Sequence, residues 1–272
     1  MSEQKMIRGA RILLETLKRL GVTDIFGYPG GAVIPIYNEI YDFEGLNHYL
    51  ARHEQGAAHE ADGYARASGK CGVCLATSGP GATNLVTGIM TAHMDSIPLL
   101  AITGQVGSHL LGKDAFQESD IIGITMPVTK NNYLVKDIRE IASTVKEAYY
   151  LATTGRPGPV LVDITRDAQL AEISYEEFEA IFNEPVSLEG YDPNYIGHPK
   201  QIKKAIELLK EAKRPLIVAG HGVLLSDATE ELYKLATTCQ IPVTNTLLGL
   251  GSFPGEHQLS LGMLGMHGTV YA

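Results

Sequence analysis

Gly72-Val-Cys-Leu-Ala-Thr-Ser-Gly-Pro-Gly-Ala-Thr-Asn84 runs from an apolar, β-type segment through a Gly-Pro-Gly turn into a helical pattern. Residues 72–77 read as a buried strand and 82–93 as a helix. The same alternation continues on both sides. Upstream lie a helix over 6–20, strands over 24–28 and 47–51, and a helix over 55–67. In the first of these, Ile7, Ala10, Leu13, Leu14 and Leu17 share one face and Gly21 ends the run. Downstream come strands over 99–106, 133–135 and 159–164, with a helix over 138–153. Short apolar strands alternating with longer helices predict an α/β fold, a parallel sheet with helices on both faces. Ligands in such sheets gather at strand C-terminal ends. The glycine-containing turns Tyr28-Pro-Gly-Gly31, Thr77-Ser-Gly-Pro-Gly81 and Thr103-Gly-Gln105 fall there.

The pattern lapses between residues 169 and 198, a Glu-, Tyr- and Pro-containing stretch that reads as a linker between a first domain, 1–168, and a second unit, 199–272. That second unit offers a helix over 199–212, a strand over 216–219, the turn Gly220-His-Gly222, a helix opened by Ser226 and a strand over 242–245. One β-α-β step covers too little of its sheet for a comfortable independent domain, so the sequence reads as truncated, the start of a second Rossmann-like domain.

The 272 residues, 44% hydrophobic, suffice for one full α/β domain and part of another. A formal charge of -9 argues against a nucleic-acid or anionic-membrane surface. No secretory leader and no run of membrane-spanning length is visible, and three cysteines fit a reducing compartment, so a cytoplasmic location is expected.

Arg52-His-Glu-Gln-Gly-Ala-Ala-His-Glu-Ala-Asp-Gly-Tyr-Ala-Arg66 concentrates ionisable groups at a strand-to-helix junction. His53 and His59 stand six apart rather than four, roughly 120° apart around a helix, which argues against a shared zinc. Glu54 reads either as an ordinary acid of a helix first turn or as a catalytic acid at a strand end. The turn from Ser78 to Asn84 is neither a dinucleotide fingerprint nor a Walker loop, and it fits a ligand-binding helix start as well as a simple tight turn. Cys71 and Cys74, with no second pair, read as small core residues.

Taken in order, Phe26-Gly-Tyr-Pro-Gly-Gly31, Arg52-His-Glu-Gln-Gly-Ala-Ala58, Gly63-Tyr-Ala-Arg66, Ala76-Thr-Ser-Gly-Pro-Gly-Ala-Thr-Asn84, Ile102-Thr-Gly-Gln-Val106, Asp114-Ala-Phe-Gln-Glu118 and Gly155-Arg-Pro-Gly-Pro-Val-Leu-Val-Asp163 resemble the thiamine-diphosphate-dependent acetolactate synthase family. The resemblance extends to Leu261-Gly-Met-Leu-Gly-Met-His-Gly-Thr269 and so covers essentially the whole chain. It implies a pyrimidine-binding domain followed by the start of a flavin-binding central domain. It further implies decarboxylating carboligation of two pyruvates, or of pyruvate and 2-oxobutyrate, in branched-chain amino-acid synthesis. A homodimer would do this work, with a possible small regulatory subunit.

By that resemblance Glu54 is the acid that hydrogen-bonds N1′ of the cofactor aminopyrimidine and thereby activates its own amino group as a base toward thiazolium C2. Tyr28, Pro29, Gly30 and Gly31 would face the reactive centre. Ser78, Gly79, Pro80 and Asn84 would line the cofactor pocket, with Phe116, Gln117 and Arg166 by the substrate channel. Arg156, Gly220, Gly222, Thr246, Leu247, Leu264, Gly265, Met266 and His267 would contact FAD, which the resemblance makes structural rather than redox-active. Two positions depart from the family pattern: Arg166 stands where it often has Lys, and Gly107 where many members have Pro. No Gly-Asp-Gly segment is present, so no magnesium ligand is expected in this chain and binding of the diphosphate by this chain alone should be poor. Two alternatives remain: a pyruvate-oxidase-like enzyme, or a domain fragment without catalysis.

Overall fold

The apolar runs around the Gly-Pro-Gly turn form the centre of a six-stranded, all-parallel sheet. A computed structural model describes residues 5–272 as two compact units, the first closing at Pro193 and the second spanning Asn194–Ala272. In chain order the first unit begins with β1 (Met6–Arg8), α1 (Gly9–Arg19), β2 (Asp24–Gly27), α2 (Ile34–Ile40), β3 (Asn47–Leu50), α3 (Glu54–Ser68) and β4 (Gly72–Ala76). Then follow α4 (Pro80–Asn84), α5 (Val86–Asp95), β5 (Leu99–Gln105), α6 (Ile121–Thr125), β6 (Asn131–Val135) and α7 (Ile138–Thr153). It ends with β7 (Pro159–Thr165), α8 (Arg166–Leu170), β8 (Glu172–Ser174) and α9 (Tyr175–Asn183). The sheet order is β3-β2-β4-β5-β7-β6.

Every residue of β4, β5 and β7 is buried, which is why these strands are continuously apolar rather than alternating. Successive side chains enter opposite layers. Val73 and Leu75 pack with Leu13 and Leu17 of α1 and Val145 of α7, whereas Cys74 and Ala76 pack with Ala58 and Ala61 of α3 and Ile89 of α5. Truncating one such leucine to alanine costs about 2–5 kcal/mol. An exposed ion pair such as Arg8–Glu172 is screened by solvent and contributes little. The two apolar layers therefore hold the unit. Burial pushes the thiols of Cys71 and Cys74 up to about 12, so both are un-ionised core groups.

In the first unit three expectations are corrected. Residues 6–8 are not helical: β1 pairs antiparallel with β8, Ile7 opposite Ile173, and the helix begins at Gly9. The stretch 169–198 is no linker over its first half, because β8 and α9 belong to the first unit and Phe178 is fully buried in its core. The helix expected from Ala82 is two, α4 and α5, the first opening on Pro80 as suits a residue with no N–H to satisfy.

The second unit contains α10 (Pro199–Glu211), β9 (Ile217–Ala219), α11 (His221–Leu225), α12 (Thr229–Cys239), β10 (Val243–Asn245) and β11 (Ser260–Met263). Its sheet, β11-β10-β9, is parallel, so the unit makes two crossovers rather than the single step expected. The helix expected from Ser226 begins at Thr229, and His221 and Gly222 lie in α11 instead of a turn. A small core of Ala219, Leu232, Ala236, Val243 and Phe253 holds it. Among the described residues no helix is long and apolar enough to cross a membrane.

Candidate active site

The turns after β2 and β4 meet over Thr77. The Ala32 N–H donates to Thr77 Oγ1 at 3.0 Å, and a Cβ on Gly30 would fall 2.4 Å from Thr77 Cγ2. Only glycine allows this approach. Gly81 closes the other side: a Cβ there would lie 2.7 Å from Thr77 Cγ2 and 3.3 Å from Glu54 Oε1. Glu54 is the first residue of α3, where free backbone N–H groups favour a carboxylate. Its Oε2 accepts from Asn84 Nδ2 at 2.9 Å. The α3 start and the α4 end thus fix one carboxylate oxygen while the other looks toward Gly81. Tyr28 and Pro29 are exposed beside this cleft, with the Tyr28 N–H donating to the Leu75 carbonyl.

A cavity of about 450 Å³ adjoins the cleft. Its lining brings together Gly31, Ser78, Phe116, Gln117 and Arg166 from segments far apart in sequence, and adds Leu110. Phe116, which lines this cavity, is 88% exposed. Gln117 has φ 58, and its carbonyl oxygen lies where a Cβ on Gly79 would be 2.5 Å away. The loop carrying Phe116 therefore rests on the Ser78-Gly-Pro-Gly81 turn. Pro80 itself is exposed.

Beneath this loop, Asp163 ends up fully buried on β7. Thr103 Oγ1 donates to its Oδ1 at 2.7 Å and Gln105 Nε2 to its Oδ2 at 2.9 Å. Burial pushes the Asp163 carboxyl up to about 7, outweighing the lowering by Thr103 and Gln105, and Asp120 nearby adds to the rise. A carboxyl raised in the folded state binds more protons there than when unfolded. Its contribution to stability is thus fully present below the unfolded value of 3.8 and is lost as pH climbs to about 7. Asp163→Asn removes the ionisation. In urea unfolding it is expected to match wild type near pH 4 and to exceed it by about 1 kcal/mol or more near pH 8. An unchanged difference between the two pH values would show that Asp163 ionises normally.

In the second unit the expected flavin residues collect at the C-terminal ends of its three strands. Gly220 and Gly222 follow β9 and Thr246 and Leu247 follow β10, with the Cβ position of Gly220 only 3.8 Å from Thr246 Oγ1. Leu264, Gly265, Met266 and His267 follow β11, the Leu264 N–H donating to the Asn245 carbonyl at 3.0 Å. Gly222 and Gly265 face open space. Arg156 belongs to the first unit, where its Nε donates to Ser96 Oγ at 2.7 Å and it lines a recess of about 380 Å³ with His93 and Lys130. Among the described residues no group of three or more His, Cys, Asp or Glu gathers as a metal site.

Sequence reading assigned no role to Thr77, Gln105, Asp163 or His109, the last of which also lines the cavity. Thr77 was within reach as the residue that opens the Gly-Pro-Gly turn. The Gln105–Asp163 contact spans 58 positions, and His109 lies against Gly107 through loop geometry alone.

Two families match the chain. Residues 7–124 match the thiamine pyrophosphate enzyme N-terminal TPP binding domain, and residues 202–272 the thiamine pyrophosphate enzyme central domain. Curated relatives include the probable acetolactate synthase large subunit of Methanocaldococcus jannaschii, 54% identical over 263 residues, covering 97% of this chain and 44% of that protein. The acetolactate synthase of Arthrospira platensis is 55% identical over 276 residues, 98% of this chain and 47% of its own length. The acetolactate synthase large subunit of Corynebacterium glutamicum is 52% identical over 264 residues, 97% of this chain and 41% of its own length. The chain thus spans less than half the length of these relatives. With both family matches falling on the two units described above, the chain belongs to the thiamine pyrophosphate enzyme family and carries N-terminal and central-domain sequence shared with acetolactate synthase large subunits.

Proposed function

We propose that this chain supplies the pyrimidine-binding part of an acetolactate synthase, which joins two pyruvates to 2-acetolactate with release of carbon dioxide, or uses 2-oxobutyrate as the second substrate. The observation that carries this reading is the Glu54 carboxylate, held on one oxygen by Asn84 and open on the other beside the Gly30–Thr77–Gly81 cleft. Glycine at 30 and 81 lets both turns close on Thr77 beside Glu54, and the cofactor's flat heteroaromatic ring would lie against that small-residue surface. Thiamine diphosphate, when bound, supplies a carbon nucleophile that can hold the electron pair freed by decarboxylation. Glu54 would share a proton with the ring nitrogen N1′, and the glycine turns would exclude water around it. The apolar cavity with Arg166 at its wall suits a small 2-oxo acid, with the guanidinium facing the carboxylate.

Since the sequence has no Gly-Asp-Gly segment, the diphosphate and magnesium would be held outside the residues named above. In this reading other residues of a homodimer hold them, and a small regulatory subunit can join. FAD would sit on the strand-end turns of the second unit, as a structural group in a cytoplasmic enzyme. The test is product analysis of the complete protein with pyruvate, thiamine diphosphate, magnesium and FAD. Acetolactate is expected. Acetyl phosphate made with oxygen consumption would instead identify a pyruvate-oxidase-like enzyme, and a folded protein without turnover would identify a non-catalytic one.

A further inference from the structure

Gln105, at the end of β5, is 3% exposed and uses every polar atom of its amide. Nε2 donates both to Asp163 Oδ2 at 2.9 Å and to the Ser119 carbonyl at 3.0 Å, while Oε1 accepts from the Val106 N–H at 2.9 Å. Val106 and Ser119 are the two ends of the segment that carries Phe116 and Gln117 over the cavity. Within it, Glu118 accepts from the N–H groups of Gly112 and Ala115, and near its start Ser108 donates its N–H and hydroxyl to Asp167 of α8. The Glu118 ties shape the segment and Asp167 holds its start to α8, while the Gln105 amide joins both of its ends to the sheet.

An amide has two orientations, and only one gives this set of bonds. With oxygen and nitrogen exchanged, Oε1 would face the carbonyl of Ser119 and the carboxyl of Asp163, and the Val106 N–H would lose its acceptor. Asp163 is the group that decides. Its Oδ2 offers an acceptor in a dry site where an unmatched polar atom is costly. Thr103 in turn holds Oδ1, so the carboxyl plane is set by the β5–β7 register that places Thr103 opposite Asp163.

We propose that Asp163 is a positioning residue: by accepting from Gln105 Nε2 it fixes the amide that ties Val106 and Ser119, and so holds Phe116 and Gln117 at the cavity. The part of this that concerns substrate rests on the cavity being the 2-oxo-acid site. The clasp itself does not. Asp163→Asn can keep it, its oxygen accepting from Gln105 and its amide donating to the Thr103 hydroxyl. Asp163→Val, suited to a buried strand, cannot, and neither can Gln105→Met.

Hydrogen exchange on the 272-residue chain tests the clasp. In Asp163→Val and Gln105→Met, amides of residues 107–118 are expected to exchange about tenfold faster or more, the equivalent of one lost buried hydrogen bond, with β4, β5 and β7 still protected. Asp163→Asn is expected to stay within about twofold of wild type. Wild-type protection of 107–118 in both Val and Met variants overturns the proposal. An equal rise across the central strands, or loosening in Asp163→Asn matching that in Asp163→Val, overturns it too. In the complete enzyme a loosened loop should raise the pyruvate KM more than it lowers kcat. Loosening with unchanged KM and kcat would refute the substrate reading of the cavity and leave the clasp standing.

Discussion

Glu54→Gln in the complete enzyme is expected to lower acetolactate formation by about 10²–10⁴-fold, the range for loss of a positioned acid–base group. The substitution is chosen for what it leaves intact. Glutamine has the same shape, and its carbonyl oxygen can still accept from Asn84 Nδ2 as Glu54 Oε2 does. Its nitrogen then faces Gly81, where the carboxylate had an open oxygen. A proton-sharing acceptor becomes a fixed donor. Since Glu54 is only half-buried, stability should change by less than about 1 kcal/mol, and urea unfolding serves as the control. The decisive measurement is hydrogen–deuterium exchange at thiazolium C2 followed by NMR. Exchange as fast as wild type would refute the role proposed for Glu54, whatever happened to overall turnover.

That role rests on parts of the sequence that were locally legible. The helix over 54–68 and the turns at 28–31 and 77–81 announce themselves through short-range pattern, because a glycine or a first-turn acid acts within a few residues. The sheet was legible for the same reason: β4, β5 and β7 are continuous apolar runs. What escaped reading depends on distant pairing. β1 is three residues paired with β8, more than 160 positions away, and a helical pattern absorbs it naturally. β11 contains Gly262 at φ 74 and pairs with a register shift, so it lacks the alternation that marks a strand. In α9 the signal was present: Tyr175, Phe178 and Phe182 recur at helical spacing, yet the surrounding Glu and Pro residues made the stretch look like a connection. The candidate site divides along the same line. Glu54, the glycines and Thr77 stand in local motifs, whereas the Gln105–Asp163 clasp follows from how the strands align.

Gly79→Ala is expected to damage the first unit severely, because two penalties fall on one methyl group. The backbone at Gly79 has φ 55 and ψ −118, outside the regions open to L side chains, which costs about 1–3 kcal/mol. The added Cβ would also sit 2.5 Å from the Gln117 carbonyl oxygen and 3.0 Å from Gln117 Cα. Backbone cannot rotate aside as a flexible side chain can, so relieving this contact adds about 1–3 kcal/mol more. Urea unfolding should therefore show a loss of about 2–6 kcal/mol, the sum of the two ranges. The clash can instead be relieved by moving the 106–119 loop off the turn, since Gln117 belongs to that loop while Gly79 is fixed between β4 and α4. The two responses separate experimentally: if the loop yields, hydrogen exchange rises at 107–118 and the stability loss falls toward the backbone penalty alone. A variant with wild-type stability and wild-type exchange would show that the Gly79 turn and the Gln117 loop are not packed as described.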